Sequence, residues 1–100
     1  MTDMFMIIYR SVKEAANIEF YPDSDEYRQA IESAKQNGTL IKETIELGDC
    51  CKRHELIWSS REEFIKFSQL PEIAVYNSQK TQYNLMNSID HNIIVWEYDE

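Results

Sequence analysis

Two short apolar runs, Phe5-Met6-Ile7-Ile8-Tyr9 near the start and Ile93-Ile94-Val95-Trp96 near the end, leave this chain few ways to fold. Neither shows the alternation of a strand with one wet side, and each reads as a strand apolar on both faces. A chain of 100 residues holds one core and buries about 60–68% of the surface its unfolded form exposes, so both runs must share a single sheet. The residues between them decide how that sheet is covered.

After Pro22, Asp23 is placed to cap a helix, with Glu26 three positions on to reach back. Tyr27, Ala30, Ile31 and Ala34 then fall at i, i+3, i+4 and i+7, and Asn37-Gly38 supplies a left-handed stop, which predicts a helix over 24–37. From Thr39 to Leu47 the period becomes two, with Ile41, Ile45 and Leu47 on one face and Lys42, Thr44 and Glu46 on the other. Gly48-Asp49 turns the chain into a strand over 51–58, where His54, Leu56 and Trp58 share one face and Arg53, Glu55 and Ile57 the opposite one. Ser60-Arg61-Glu62-Glu63 is a capping box ahead of Phe64, Ile65 and Phe67. Pro71 divides a helical segment over 61–69 from one over about 72–88, whose apolar side is Ile73, Tyr76, Tyr83 and Met86. The last strand runs from His91 to Tyr98.

The order β-α-β-β-α-β is that of the ferredoxin-like α+β fold, one antiparallel sheet with its helices on one face, and residues 1–100 form one such domain. Helices on one side leave the other side of two doubly apolar strands open, so a homodimer through the open sheet face is the expected cover.

Charge narrows the partners. Eighteen acidic against ten basic residues give a net charge of −8, which repels phosphate backbones and anionic membrane surfaces. Neither nucleic acid nor membrane is expected as a partner. No apolar stretch approaches the length of a bilayer span, and Met1-Thr2-Asp3-Met4 lacks the basic start of a secretory leader. Cys50 and Cys51 are sequence neighbours that cannot staple distant parts of the chain, and they read as free thiols in a reducing, cytoplasmic compartment. Strand alternation sends Cys51 away from Cys50 and His54, so no metal site is expected there.

The run from Trp58 through Ser60-Arg61-Glu62-Glu63-Phe64 to Phe67, then Leu70-Pro71-Glu72 and a helix bearing Tyr76, resembles the dimeric ferredoxin-like α/β-barrel families. Among them it looks most like the antibiotic-biosynthesis-monooxygenase group, in which a strand ending in Trp enters a Ser-capped helix with an aromatic a turn or two later. This resemblance implies two protomers packed sheet to sheet and a small-molecule cavity between each sheet and its own helices. The haem-degrading branch is similar in placing an aromatic three residues after a Phe and a haem-ligating His ten residues later, which here correspond to Phe64, Phe67 and Asn77. With no indole at Phe67 and no imidazole at Asn77, the resemblance implies no haem, and no other cofactor is expected.

For chemistry the inward-facing His54 is the first candidate as a general base, although a histidine in that position is more often a satisfied core residue. Tyr9, Trp58, Tyr76, Tyr83 and Trp96 could line a cavity for a planar ligand, with core packing as the competing explanation. Taken with the positions marked by the resemblance, the expected ligand-binding residues are Tyr9, Trp58, Phe67, Asn77 and Tyr83. No phosphate loop, nucleophile elbow or His-Glu-x-x-His occurs, and the adjacent acids Glu62-Glu63 and Asp23-Asp25-Glu26 sit at helix starts. The sequence leaves three readings of function. One is a small cofactor-independent, monooxygenase-like or isomerase-like protein acting on a small aromatic or apolar metabolite. Another uses the same cavity for binding or sensing without turnover. The third is an acidic protein-interaction module.

Overall fold

The computed structural model describes residues 4–98, so Met1 to Asp3, most of the stretch that lacks a leader's basic start, lie outside the described residues. The elements are β1 (Met4–Val12), α1 (Asp25–Gln36), β2 (Leu40–Leu47), β3 (Cys51–Trp58), α2 (Arg61–Ser68), α3 (Pro71–Met86) and β4 (Asp90–Tyr98). The four strands form one sheet in the order β2-β3-β1-β4, every neighbouring pair antiparallel, and this is the ferredoxin-like arrangement expected from the element order. Among the described residues no helix is long and apolar enough to cross a membrane.

The two strands apolar on both faces are neighbours, with Ile8 opposite Ile94 and Ile7 opposite Val95. β1 lies inside the sheet and buries Phe5, Ile7 and Ile8. β4 is an edge strand, and Ile93, Ile94, Val95 and Trp96 are all exposed. The helices cover one face: Phe5, Ile7, Leu40, Leu56 and Trp58 of the sheet pack in one cluster with Tyr27, Ile31 and Ala34 of α1, Phe67 of α2, and Ile73 and Tyr76 of α3. The opposite face carries Met6, Ile8, Ile57, Ile94 and Trp96, as the register and the period of two require.

Local chemistry departs from the sequence reading at three places, each of which shapes the site. First, α1 is capped by Ser24, whose Oγ accepts from the Tyr27 N–H at 3.1 Å. Asp23 is thereby released to accept a hydrogen bond from the Tyr76 hydroxyl at 2.7 Å. Second, β2 does not alternate throughout. Leu40 pairs with Trp58 and Lys42 with Ile57, so Ile41 is a bulge. One extra residue exchanges the faces of the positions before it relative to those after it, which puts both Leu40 and Glu43 on the helix side. Third, the inward stripe of α3 runs through Ile73, Tyr76, Lys80 and Asn84, at spacings of three, four and four. Tyr83 lies beside this stripe, and Met86, expected on the apolar side, is 84% exposed.

Candidate functional site

α3 crosses the β1 and β4 half of the sheet without filling the space beneath it. A cleft of about 270 Å³ remains, whose walls include Tyr9 and His91 from the sheet, Phe64 from α2, and Asn77, Lys80 and Asn84 from α3. A narrower gap continues inward past Tyr9 and Lys80 toward Phe67 and Tyr76, and at about 10 Å³ it has room for at most one water. The cleft is thus shallow, floored by aromatic rings, and polar on its α3 side.

Lys80 is its centre. The Nζ lies 5.4 Å from the centroid of the Tyr9 ring and 5.9 Å from that of Tyr76, in the range where an ammonium is held by aromatic faces. Among the described residues no carboxylate comes within ion-pair distance of it. Burial, assisted by repulsion from Lys52 and opposed by Asp23, brings its pKa down to about 8. His91 is held below the ordinary imidazole range by burial and by the charge of Lys80, so it is a neutral base at pH 7. Its Nδ1 lies 3.5 Å from the Ser11 Oγ. Burial raises the Tyr9 phenol to about 12, leaving it a hydroxyl donor at every physiological pH.

Behind Tyr9 lies a second polar group of different character. Glu43 stands on the helix side, opposite Leu56, and its side chain is almost completely buried there. Its carboxylate accepts from both Arg28 Nη atoms, at 2.7 and 3.0 Å, from Lys35 Nζ at 2.8 Å and from His54 Nε2 at 2.7 Å. Burial alone would raise its pKa, but the hydrogen bonds from Arg28, Lys35 and His54 together outweigh burial and hold it at about 2. His54 is held below the ordinary imidazole value, first by burial. The pull of Glu43 and Asp23 opposes this without reversing it, and repulsion from Lys52 adds to the lowering. His54 is therefore a neutral donor whose ring stands against those of Tyr9 and Tyr27 at 6.3 and 6.5 Å.

Of the residues singled out in the sequence, Tyr9 and Asn77 line the cleft and its inner gap, and Phe67 lines the gap. Tyr76 lines the gap as well, and four stand elsewhere, Trp96 on the open sheet face among them. Trp58 is fully buried, packed on Phe67 and Phe64, and borders a different groove between α1 and α2. Tyr83 turns outward, its hydroxyl donating to the Glu19 carbonyl and its ring resting on Tyr21. His54 lies behind Tyr9 and is not among the residues that line the cleft or the gap. Lys80, Asn84 and His91 escape the sequence reading, although polar side chains at positions 80 and 84 recur with a helical period on an otherwise apolar face, and that is a legible signal.

No protein-family model matches the chain, and no curated protein sequence matches it either. Solved structures do. A proposed antibiotic biosynthesis monooxygenase from Caulobacter crescentus CB15 superposes with a TM-score of 0.65 at 8% identity, over 99% of this chain and 92% of that one. SnoaB, a cofactor-independent oxygenase from Streptomyces nogalater, matches with a TM-score of 0.56 at 7% identity, over 100% and 96% of the two chains. The hydroxynitrile lyase of Passiflora edulis matches with a TM-score of 0.52 at 11% identity, over 95% and 94%. The chain therefore shares the ferredoxin-like fold of antibiotic-biosynthesis-monooxygenase-like proteins. At these identities the likeness is one of fold, and the reaction has to be argued from the side chains.

Proposed function

We propose that this protein is a cytoplasmic homodimer that binds a small aromatic or apolar metabolite, one per protomer, in the cleft beneath α3, with Tyr9, Phe67 and Asn77 among the contacts. The observation that carries this reading is the cleft itself: about 270 Å³ of space between an aromatic floor and a half-buried amine that no carboxylate among the described residues neutralises. A space of that size suits a single ring with a few substituents. One fold carries both a cofactor-independent oxygenase and a hydroxynitrile lyase, and a monooxygenase-like activity is the reading that the resemblance favours.

The dimer is argued from the open sheet face. Met6, Ile57, Ile94 and Trp96 form its apolar part, while Arg53 pairs there with Glu55 at 3.2 Å and Glu46 at 3.9 Å. Two copies related by a two-fold axis bring apolar part against apolar part, and a stable pair of this kind buries more than about 1,200 Å². The free thiols Cys50 and Cys51 fit a reducing compartment.

The binding reading is tested by saturation-transfer NMR with benzyl alcohol, comparing the parent with Thr81→Trp, which fills the cleft from its rim on α3. Transfer in the parent and its loss in the variant is the expected result. Equal transfer in both means the cleft is not the binding place.

A further inference from the structure

We infer that Lys80 is a nucleophile and that the ligand of the cleft is an aldehyde or ketone, which Lys80 captures as a reversible imine. This rests on the cleft being the ligand site. Geometry supplies the first argument: the amine sits at the meeting point of the larger cleft and the inner gap, over the Tyr9 and Tyr76 rings. A carbonyl compound entering the cleft meets Nζ with its flat side supported by aromatic faces. Acidity supplies the second. With a pKa of about 8, roughly a tenth of Lys80 is neutral at pH 7, about two orders of magnitude more than for an ordinary lysine. A desolvated amine beside apolar surface is how proteins make lysine nucleophilic. Burial is the largest cause of this state, and the charged groups that adjust it are Lys52, which repels the ammonium, and Asp23, which favours it; His91, neutral, faces the amine across the cleft.

The step balances with the groups present. The lone pair of the neutral Nζ forms the C–N bond while the carbonyl π pair moves onto oxygen, which takes a proton from water and becomes a hydroxyl. His91, neutral at pH 7, accepts the first proton that the now cationic nitrogen sheds and returns it to that hydroxyl, which leaves as water while the nitrogen lone pair completes the C=N bond; the nitrogen's second proton passes to the hydroxide left by the first transfer, so amine and carbonyl give imine and one water. Tyr9, which keeps its proton, is the hydroxyl donor available to the carbonyl oxygen from the floor. No oxidant or cofactor enters, and water reverses the sequence.

The experiment treats the full chain with benzaldehyde and sodium cyanoborohydride at pH 7 and maps the benzyl groups by peptide mass spectrometry, with the α-amino terminus as an internal standard of comparable basicity. Lys80 is expected to be labelled at least tenfold faster than the exposed Lys42 and Lys66, with a rate that saturates in benzaldehyde and is slowed by benzyl alcohol, while the α-amine is not slowed. His91→Gln is expected to slow labelling of Lys80 and to leave that of Lys42 alone. Labelling of Lys80 no faster than Lys42 overturns the proposal, and so does fast labelling that neither saturates nor yields to benzyl alcohol. The saturation-transfer measurement on the parent separates these failures from a failure of the cleft as a binding site: an amine that stays unlabelled while benzyl alcohol binds sinks the imine alone.

Discussion

His54 donates its Nε2–H to Glu43 at 2.7 Å, and both side chains are buried. Register makes this contact: Glu43 pairs with Leu56 and Ile45 with His54, all on the helix side, and the bulge at Ile41 lets Leu40, opposite Trp58, share that side. The network then joins α1, through Arg28 and Lys35, to the sheet behind Tyr9. It fixes the floor of the cleft.

This network predicts how stability depends on pH. His54 is lowered on folding, so below its unfolded value of about 6.5 the unfolded chain binds the proton more readily, and stability falls as the pH drops through that range. Glu43 is lowered to about 2, so its contribution is complete above its ordinary value of about 4.5 and is lost as the pH falls toward 2. Glu43→Gln keeps an acceptor for His54 but leaves Arg28 with only its longer contacts to Asp23 and Glu32 and Lys35 with only Glu32. Because those two are about a third exposed, water takes up part of the loss, and the cost at pH 7 is about 2–3 kcal/mol. Urea denaturation at pH 7, 5.5 and 3.5 checks both parts: the parent loses stability at each step, and the difference between parent and variant shrinks at pH 3.5.

Much of this fold can be read from periodicity alone, because β3 and α2 obey their local signals: His54, Leu56 and Trp58 are buried together, and Ser60 caps the next helix. What periodicity cannot show is a bulge, since Ile41 satisfies the alternation of β2 as well as any paired residue would. Leu40 is hidden for that reason: strict alternation sets it on the face opposite Glu43 and Ile45, and the bulge brings it to their side. The cleft residues are hidden for another. A stripe scored by apolar residues passes over Lys80 and Asn84, and favours Tyr83, which packs on Tyr21 outside the cleft, and Met86, which the helix turns toward solvent.

Ser60 offers a local test. Its Oγ accepts from the Glu63 N–H at 3.2 Å, so Ser60→Ala is expected to cost about 0.5–2 kcal/mol, with a smaller loss for Ser59→Ala. Glu63 itself turns to Lys66 at 3.4 Å, so the cap acts through the serine hydroxyl. Denaturation midpoints for the two variants, at unchanged m-value, make the comparison, and equal midpoints for Ser60→Ala and the parent would remove the cap from the account.

Trp96 tests the dimer. It lies on the open face opposite Met6 and is 57% exposed in one protomer. Trp96→Glu places a charge in the apolar part of that face and is expected to yield a folded monomer, because the ring is more exposed than covered within the protomer and lies outside the core cluster. Sedimentation equilibrium decides it: the parent at twice 11.9 kDa and the variant at the single mass. A parent that sediments as the single mass at micromolar concentration ends the dimer reading.

Trp58 is the most instructive residue to change. Its ring is fully buried against Phe67, at 4.8 Å between centroids, and Phe64, at 6.0 Å, yet its Nε1–H has no hydrogen-bond partner among the described residues. An orphaned buried donor costs about 1–3 kcal/mol, and the volume lost on shortening an indole to a phenyl ring costs a similar amount. The two offset. Trp58→Phe is therefore expected to change stability by less than about 1.5 kcal/mol, whereas Trp58→Ala, which removes both ring contacts, costs about 3–5 kcal/mol. Guanidinium denaturation of the two variants separates ring packing from hydrogen bonding. A loss above about 3 kcal/mol in Trp58→Phe would mean that the indole N–H is satisfied in solution, with a water held in the groove of about 280 Å³ that Trp58 borders between α1 and α2 as its acceptor.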